Sequence, residues 1–284
     1  MNSRVESLPN LIVGGAQKCG TTSLHQFLKS HPDIFFPESP QEIHYFDIDE
    51  NYRRGLDHYR DFFRDQDGQK IIGQTSPLYL YESKVAERIH RDLDAVKFIF
   101  ILRNPVERAY SHYWHEIRYG YETKSFEEAL KLESIRVAKD FACRRHFSYV
   151  GRGFYAEQLQ RFYSLFPRHD ILVIKFEEFL RKRERVADQC ARFLGIDPDG
   201  FDTRNIERHN RARLPVILGL QQLVRPLRNT WAGKLARVVD RVNLRYADYP
   251  EMASETRARL QGAFHDDICS LESLTGLILD NSIG

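Results

Sequence analysis

Residues 11 to 22, Leu11-Ile12-Val13-Gly14-Gly15-Ala16-Gln17-Lys18-Cys19-Gly20-Thr21-Thr22, run from an apolar stretch through a glycine turn to a lysine and two hydroxyls ahead of a helical pattern. These residue types in this order suit a phosphate group. Glycines let the backbone approach an anion, and the helix start offers unpaired N–H groups at the positive end of its dipole. Lys18 adds a mobile point charge, while Thr21 and Thr22 add hydroxyl donors. The spacing is not that of the ATP-binding loop GxxxxGK[ST], because the lysine precedes the last glycine by two residues. The turn therefore suits a nucleotide phosphate without the usual Mg²⁺ arrangement. Cys19, small and within the loop, reads first as a spacer and second as a nucleophile.

A second group of this kind follows the apolar run VKFIFILR at 96 to 103. There Arg103-Asn104-Pro105 leads into a helix that carries Ser111 about two turns in. An arginine at a strand end needs a partner, and its planar fork matches a phosphate. A neighbouring carboxylate such as Glu107 is the alternative partner. Glu42 and His44 form a third group: in an extended segment, residues two apart face the same side.

These groups must be carried by a sheet. Short runs at 11 to 15, 70 to 74, 96 to 103 and 170 to 176 are rich in Val, Ile and Phe and do not alternate, as parallel strands buried on both faces require. Helical patterns lie between them at 21–30, 84–93, 105–119, 154–165 and 185–194, with a last one at about 250–274. His31-Pro32 should end the first, and Asn104-Pro105 supplies a cap and an N1 residue. The expected fold is an α/β, P-loop-like three-layer domain, a central and mostly parallel sheet flanked by helices. Ligands bind at the carboxyl ends of the strands in such sheets.

The 284 residues, 42% of them hydrophobic, are enough for one large domain over 1–284. A formal charge of only +2 argues against wholesale nucleic-acid binding. No run reaches the length of a membrane span and MNSRVESLPN has no apolar signal region, so the chain reads as soluble and cytoplasmic. Cys19, Cys143, Cys190 and Cys269 lie far apart, which argues against zinc and against a disulfide framework.

Taken together, the two phosphate-type motifs resemble the sulfotransferase family that uses 3′-phosphoadenosine 5′-phosphosulfate (PAPS). Residues 15–22 are similar to that family's 5′-phosphosulfate loop, and 101–113 (Ile-Leu-Arg-Asn-Pro-Val-Glu-Arg-Ala-Tyr-Ser-His-Tyr) to its 3′-phosphate motif. Leu-Lys-Ser-His-Pro-Asp-Ile at 28 to 34 and Glu-Ile-His-Tyr-Phe-Asp at 42 to 47 resemble the heparan sulfate type and its bacterial relatives. The resemblance spans most of 10 to 215 and implies PAPS as co-substrate with no metal. It implies that Gln17, Lys18, Cys19, Gly20, Thr21 and Thr22 bind the 5′ end, with Lys18 neutralising charge as the sulfuryl group departs. Arg103 and Ser111 would take the 3′-phosphate, and a late loop at 208–213 would close through Arg211 and Arg213. Glu42 stands at the family's catalytic glutamate position and would be the base, with His44 as helper or alternative. Gln74 and Thr75 should line the acceptor site, which Tyr79 and Tyr81 either shape or merely support by packing. The family's heparan sulfate members often carry a lysine where this chain has Gln74, so either the acceptor class or the stabilisation of sulfuryl charge differs. The acceptor would be a small molecule or glycan bearing a hydroxyl.

One region stands apart. Residues 204 to 245 hold ten Lys or Arg against Glu207 and Asp240. Ile217, Leu220, Val224, Leu227, Trp231, Leu235 and Val238 step by three or four, which predicts an amphipathic helical region interrupted at Pro226. It is either a helical cover with a solvated basic rim or a contact surface for an anionic acceptor or a peripheral membrane. Two rival functions arise from the same residues. A P-loop kinase would need an acidic residue at a strand end for Mg²⁺, where this chain has Arg103. A non-enzymatic module would dock an anionic polymer or membrane through the basic region.

Overall fold

The computed structural model describes residues 8–204, 213–228 and 230–279. In chain order these form β1 (Leu11–Gly15), α1 (Thr21–Lys29), β2 (Ile34–Phe35), α2 (Asp49–Tyr52), α3 (Gly55–Arg60), β3 (Ile71–Thr75), α4 (Val85–Asp92) and β4 (Lys97–Leu102). Then come α5 (Pro105–Tyr119), α6 (Phe126–Val137), α7 (Phe141–Phe147), α8 (Tyr155–Tyr163), β5 (Ile171–Lys175), α9 (Phe176–Arg181) and α10 (Arg183–Leu194). The last are β6 (Arg213–Pro215), α11 (Leu218–Val224), α12 (Gly233–Asn243), β7 (Leu244–Tyr246) and α13 (Ser254–Thr275). They pack as two compact units, one from 8–103, 155–204 and 270–279, the other from 104–154 and 213–269.

The first unit holds a five-stranded sheet in the order β2-β3-β1-β4-β5, every neighbouring pair parallel. The central strand β1 pairs through Ile12 with Gln74 on one side and Phe98 on the other. All five β1 residues are buried, which is why the run does not alternate. From β1 the chain goes out to β2 and β3 and then crosses to β4, so the winding changes direction beside β1. That is the place at which open α/β sheets bind ligands.

Aromatic packing fixes this sheet. Phe98 and Phe100 stack at 6.0 Å on one face, and Phe162 of α8 meets Phe100 edge-on at 4.9 Å. A Cβ on Gly14 would lie 2.6 Å from the Phe100 ring, so β1 must be glycine where the ring crosses it. Burying a phenylalanine completely stabilises by about 2–3 kcal/mol.

The second unit has its own core, in which Val106, Ala109, Tyr110, Tyr113 and Ile117 of α5 meet Leu260, Phe264 and Ile268 of α13. Asn104 caps α5 by accepting from the Val106 and Glu107 amides at 2.9 and 3.3 Å, and Ser125 and Glu128 close a capping box on α6. Its buried charges are partnered: Glu122 takes Arg136 at 2.6 Å and the Tyr149 hydroxyl at 2.8 Å, and Glu133 takes the Val150 and Gly151 amides. Arg108, fully buried, donates to the Tyr149 carbonyl.

The interruption expected at Pro226 is present, since α11 ends at Val224 and a short 3-10 turn covers Arg225–Leu227. The region is not helical throughout, however. Its described ends pair as an antiparallel ribbon, Arg213 opposite Tyr246 and Pro215 opposite Leu244. Proline lacks the N–H a ladder needs, and a two-stranded ribbon leaves Pro215 an edge to occupy. No helix among the described residues is long and apolar enough to cross a membrane.

Phe100→Ala should lower unfolding free energy by about 3–5 kcal/mol, read from urea denaturation, because a fully buried ring that touches β1 and α8 leaves a cavity.

Candidate active site

β1 delivers the chain to a turn that the neighbouring strand holds in place: the Ala16 amide donates to the Ile101 carbonyl at 2.9 Å, and the Cys19 amide to the Ala16 carbonyl at 3.1 Å. Two residues of this turn lie in left-handed backbone, Lys18 at φ 69° and Gly20 at φ 91°. A lysine there is strained by about 1–3 kcal/mol, an expense that points to a local demand on its position. Gly20 is forced twice over, since a Cβ would also lie 2.6 Å from the Phe176 ring. Gly20 is the N-cap of α1 and brings no side chain to its first turn, so the leading amides of α1 are left for a ligand. Cys19 turns inward, fully buried with Sγ 3.5 Å from the Tyr155 hydroxyl. The side chain therefore packs into the interior beneath the turn.

Arg103 follows β4, the strand next to β1, and its guanidinium sits 5.4 Å from the centre of the same Phe176 ring that closes on Gly20. The Lys18 turn and Arg103 therefore share one end of one sheet. Glu107 engages Arg257 at 2.5 Å. Ser111 belongs to the second unit, where it is buried with Oγ 3.4 Å from the Tyr249 hydroxyl. Arg213, also in the second unit, lies over the Tyr246 ring at 5.3 Å in the β6–β7 ribbon. Arg211 lies outside the described residues.

The third group arrives at the same sheet end. Glu42 bridges in parallel to Thr75, the last residue of β3, and β3 flanks β1 on its other side. Ser76 and Tyr79 pin this segment, both donating to the Ile43 carbonyl, at 2.6 and 2.9 Å, while the Tyr79 hydroxyl accepts from the Phe46 amide at 3.1 Å. Tyr79 is fully buried with its hydroxyl committed to this backbone, and burial lifts its pKa far above the usual phenol range. It pins the Glu42 segment to the end of β3 through these hydrogen bonds.

Within the segment, His44 Nε2 stands 3.3 Å from Glu42 Oε2 and Nδ1 stands 2.8 Å from Asp47 Oδ2. Glu42 is exposed on its side chain, whereas Asp47 is buried. The imidazole thus links a solvent-facing carboxylate to an interior one, and a proton taken by Glu42 can be shared with Nε2. Asp47 was not singled out from the sequence, although its place three residues after His44 was the available signal. Gln74 and Thr75 are buried at the end of β3. Gln74 Oε1 accepts from Ser76 at 3.4 Å, and its Nε2 has no hydrogen-bond partner among the described residues.

His25 of α1 is the other residue missed, because on an amphipathic helix it looks like an ordinary core position. Its Nδ1 stands 2.9 Å from Thr75 Oγ1 and its ring packs on Phe36 at 4.4 Å. Burial, with Lys29 nearby, lowers its pKa to about 4, so it is neutral at physiological pH and can hold Thr75 without adding charge. Among the described residues no group of three or more His, Cys, Asp and Glu is placed to hold a metal ion.

Comparison with known proteins gives consistent results. Residues 8–212 match the Sulfotransferase domain family. Human heparan sulfate glucosamine 3-O-sulfotransferase 5 is 30% identical over 200 residues, which cover 70% of this chain and 56% of that protein. The Drosophila melanogaster bifunctional heparan sulfate N-deacetylase/N-sulfotransferase is 30% identical over 252 residues, 81% of this chain and 23% of that one. The chain thus spans about half, or less, of the curated relatives it matches. Among solved structures, a sulfotransferase from Alicyclobacillus acidocaldarius superposes with a TM-score of 0.71 at 30% identity, covering 96% of this chain and 98% of that one.

His25 sets a pH dependence of known sign. With a folded pKa near 4 against 6.5 unfolded, the unfolded state binds the extra proton first as pH falls. Stability is therefore unaffected above pH 6.5 and is lost between 6.5 and 4, by up to about 3 kcal/mol at 1.36 kcal/mol per unit. Urea midpoints measured across that range should fall with the wild type and fall less in His25→Gln.

Proposed function

Because this chain belongs to the sulfotransferase domain family, we propose that it transfers a sulfuryl group from PAPS to an acceptor hydroxyl on a sugar, lipid or small natural product. The carrying observation is that β3, β1 and β4, three adjacent parallel strands, end together with Glu42 and Gln74, the Lys18 turn, and Arg103 respectively.

The residues present fit the donor. The 5′-phosphate end belongs at the uncapped start of α1, held by the amides and hydroxyls of Thr21 and Thr22 with Lys18 alongside. Arg103 takes the 3′-phosphate on the neighbouring strand; Ser111 is assigned to it by the family resemblance alone. PAPS supplies an activated sulfur whose bond to the 5′-phosphate breaks as the acceptor oxygen bonds to it. Lys18 and the α1 amides stabilise charge on the departing phosphate. The orphan Nε2 of Gln74 is a buried donor in need of an acceptor atom, which a sulfuryl oxygen would provide.

Glu42 removes the acceptor's proton. His44 orients that carboxylate and can share the proton, and Asp47 fixes the imidazole in turn. Tyr79 and Ser76 keep the segment on the end of β3, so the base is placed by backbone contacts. The reading takes 1–284 as a single sulfotransferase domain, supported by the near-complete coverage of the bacterial sulfotransferase structure.

Adenosine 3′,5′-bisphosphate should raise the melting temperature without Mg²⁺, and Lys18→Ala and Arg103→Ala should each reduce that shift. With PAPS and a cell extract, mass spectrometry should find a product heavier by one SO₃. Glu42→Gln should slow its formation by about 10²–10⁴-fold while leaving nucleotide binding in place. Stabilisation by Mg·ATP alone, or full turnover by Glu42→Gln, would contradict the proposal.

A further inference from the structure

The basic region leaves a solvent face that the sulfuryl-transfer site does not use. On α12 the inward side is committed: Ala236 and Asn243 are buried, Asp240 takes Arg228 at 2.6 and 2.8 Å, and Arg228 also reaches Gln221 of α11 at 2.6 Å. Asn243 holds the chain before α11 through three hydrogen bonds: its carbonyl accepts from the Val216 amide, its Oδ1 accepts from the Ile217 amide, and its Nδ2 donates to the Ile217 carbonyl. The face pointing away carries two parallel stripes. Leu235, Val238 and Val242 form one, preceded by Trp231 at 96% exposure; Lys234, Arg237 and Arg241 form the other. Ile217 and Leu218, beside the C-terminal end of α12, are exposed as well.

Both stripes follow the 3.6-residue period, so each runs along the helix and the two lie side by side. Among the described residues no carboxylate pairs with Lys234, Arg237 or Arg241; Asp240 is already spent on Arg228. Trp231, Lys234 and Arg237, with Arg228, also border a hollow of about 320 Å³.

We propose that this face docks the protein on an anionic lipid bilayer, with Trp231, Leu235, Val238 and Val242 entering the headgroup boundary and Lys234, Arg237 and Arg241 meeting lipid phosphates. A water-facing helix with one apolar and one basic stripe is the arrangement that lies in a membrane interface, and tryptophan is favoured at that depth. Long basic side chains reach phosphates while their stems stay among apolar neighbours. A second copy of this chain fits less well, since a two-fold contact would set one basic stripe against another. A hydrophilic anionic polymer would satisfy the cations but leave the aliphatic stripe in water. The hydrogen bonds of Asn243 and Arg228 form the face in advance, so binding needs no refolding of the helix.

The test is co-sedimentation of the full chain with vesicles of phosphatidylcholine alone and of phosphatidylcholine mixed with phosphatidylglycerol, whose negative charge attracts a basic patch. Binding is expected only to the anionic vesicles, with a blue shift in fluorescence that is absent in Trp231→Phe. The triple variant K234E/R237E/R241E should weaken binding about a hundredfold or more. L235S/V238S/V242S, which keeps every charge, should weaken it at least about tenfold. The charge-keeping K234R/R237K/R241K should bind like wild type, and unchanged melting curves exclude misfolding. Failure to bind anionic vesicles overturns the proposal, as does full binding by the serine variant. Capture by soluble heparin but not by vesicles overturns it too, and so does a dimer that dissociates in the serine variant.

Discussion

The parallel pairing of β1 with β3 on one side and β4 on the other is the constraint on which the candidate site depends. Backbone ladders fix the register, Ile12 opposite Gln74 and Phe98, and so fix where the three strands stop. The residues just beyond each strand then need only a short loop to reach common ground. Phe176 completes the arrangement by packing against both Gly20 and Arg103, which keeps a cation and the start of α1 beside one ring. Phe98, Phe100 and Phe162 pack together on the sheet beneath these strand ends.

Cationic side chains and a carboxylate at one sheet end attract each other, and the fold separates them by strand. Lys18 and Arg103 belong to β1 and β4, whereas Glu42 comes in on the far side of β3 through its bridge to Thr75. The residues between are neutral: Gln74 offers an amide donor, and His25 is kept uncharged by burial. A charged lysine at position 74 would alter this balance by adding another cation beside Glu42 and Thr75. The neutral amide instead exerts less pull on Glu42.

Much of this was legible in the sequence because the signals were local. The buried strands announced themselves by apolar runs without alternation, and 11–15 and 105–119 fall on β1 and α5 to the residue. Others were right within one or two residues, such as 84–93 for Val85–Asp92. The Lys18 turn and Arg103 were visible for the same reason, each being a strand end followed by a helix start. The hidden features were set by contacts distant along the chain. β2 is two residues long, and β6 and β7 find each other across about thirty residues that read as helix. Helices α6 and α7 carry too mixed a pattern to stand out. For Tyr79 the sequence left shaping an acceptor pocket and packing equally open, and its hydroxyl partners Ile43 and Phe46 lie more than thirty residues away. Asp47 and His25 gain meaning only from their partners His44 and Thr75.

The most direct measurement is a crystal structure of the full chain with adenosine 3′,5′-bisphosphate. The expected result is the 5′-phosphate on the Thr21 and Thr22 amides beside Lys18, with the 3′-phosphate on Arg103. A nucleotide bound away from the ends of β1 and β4, or with either phosphate turned to solvent, would contradict it.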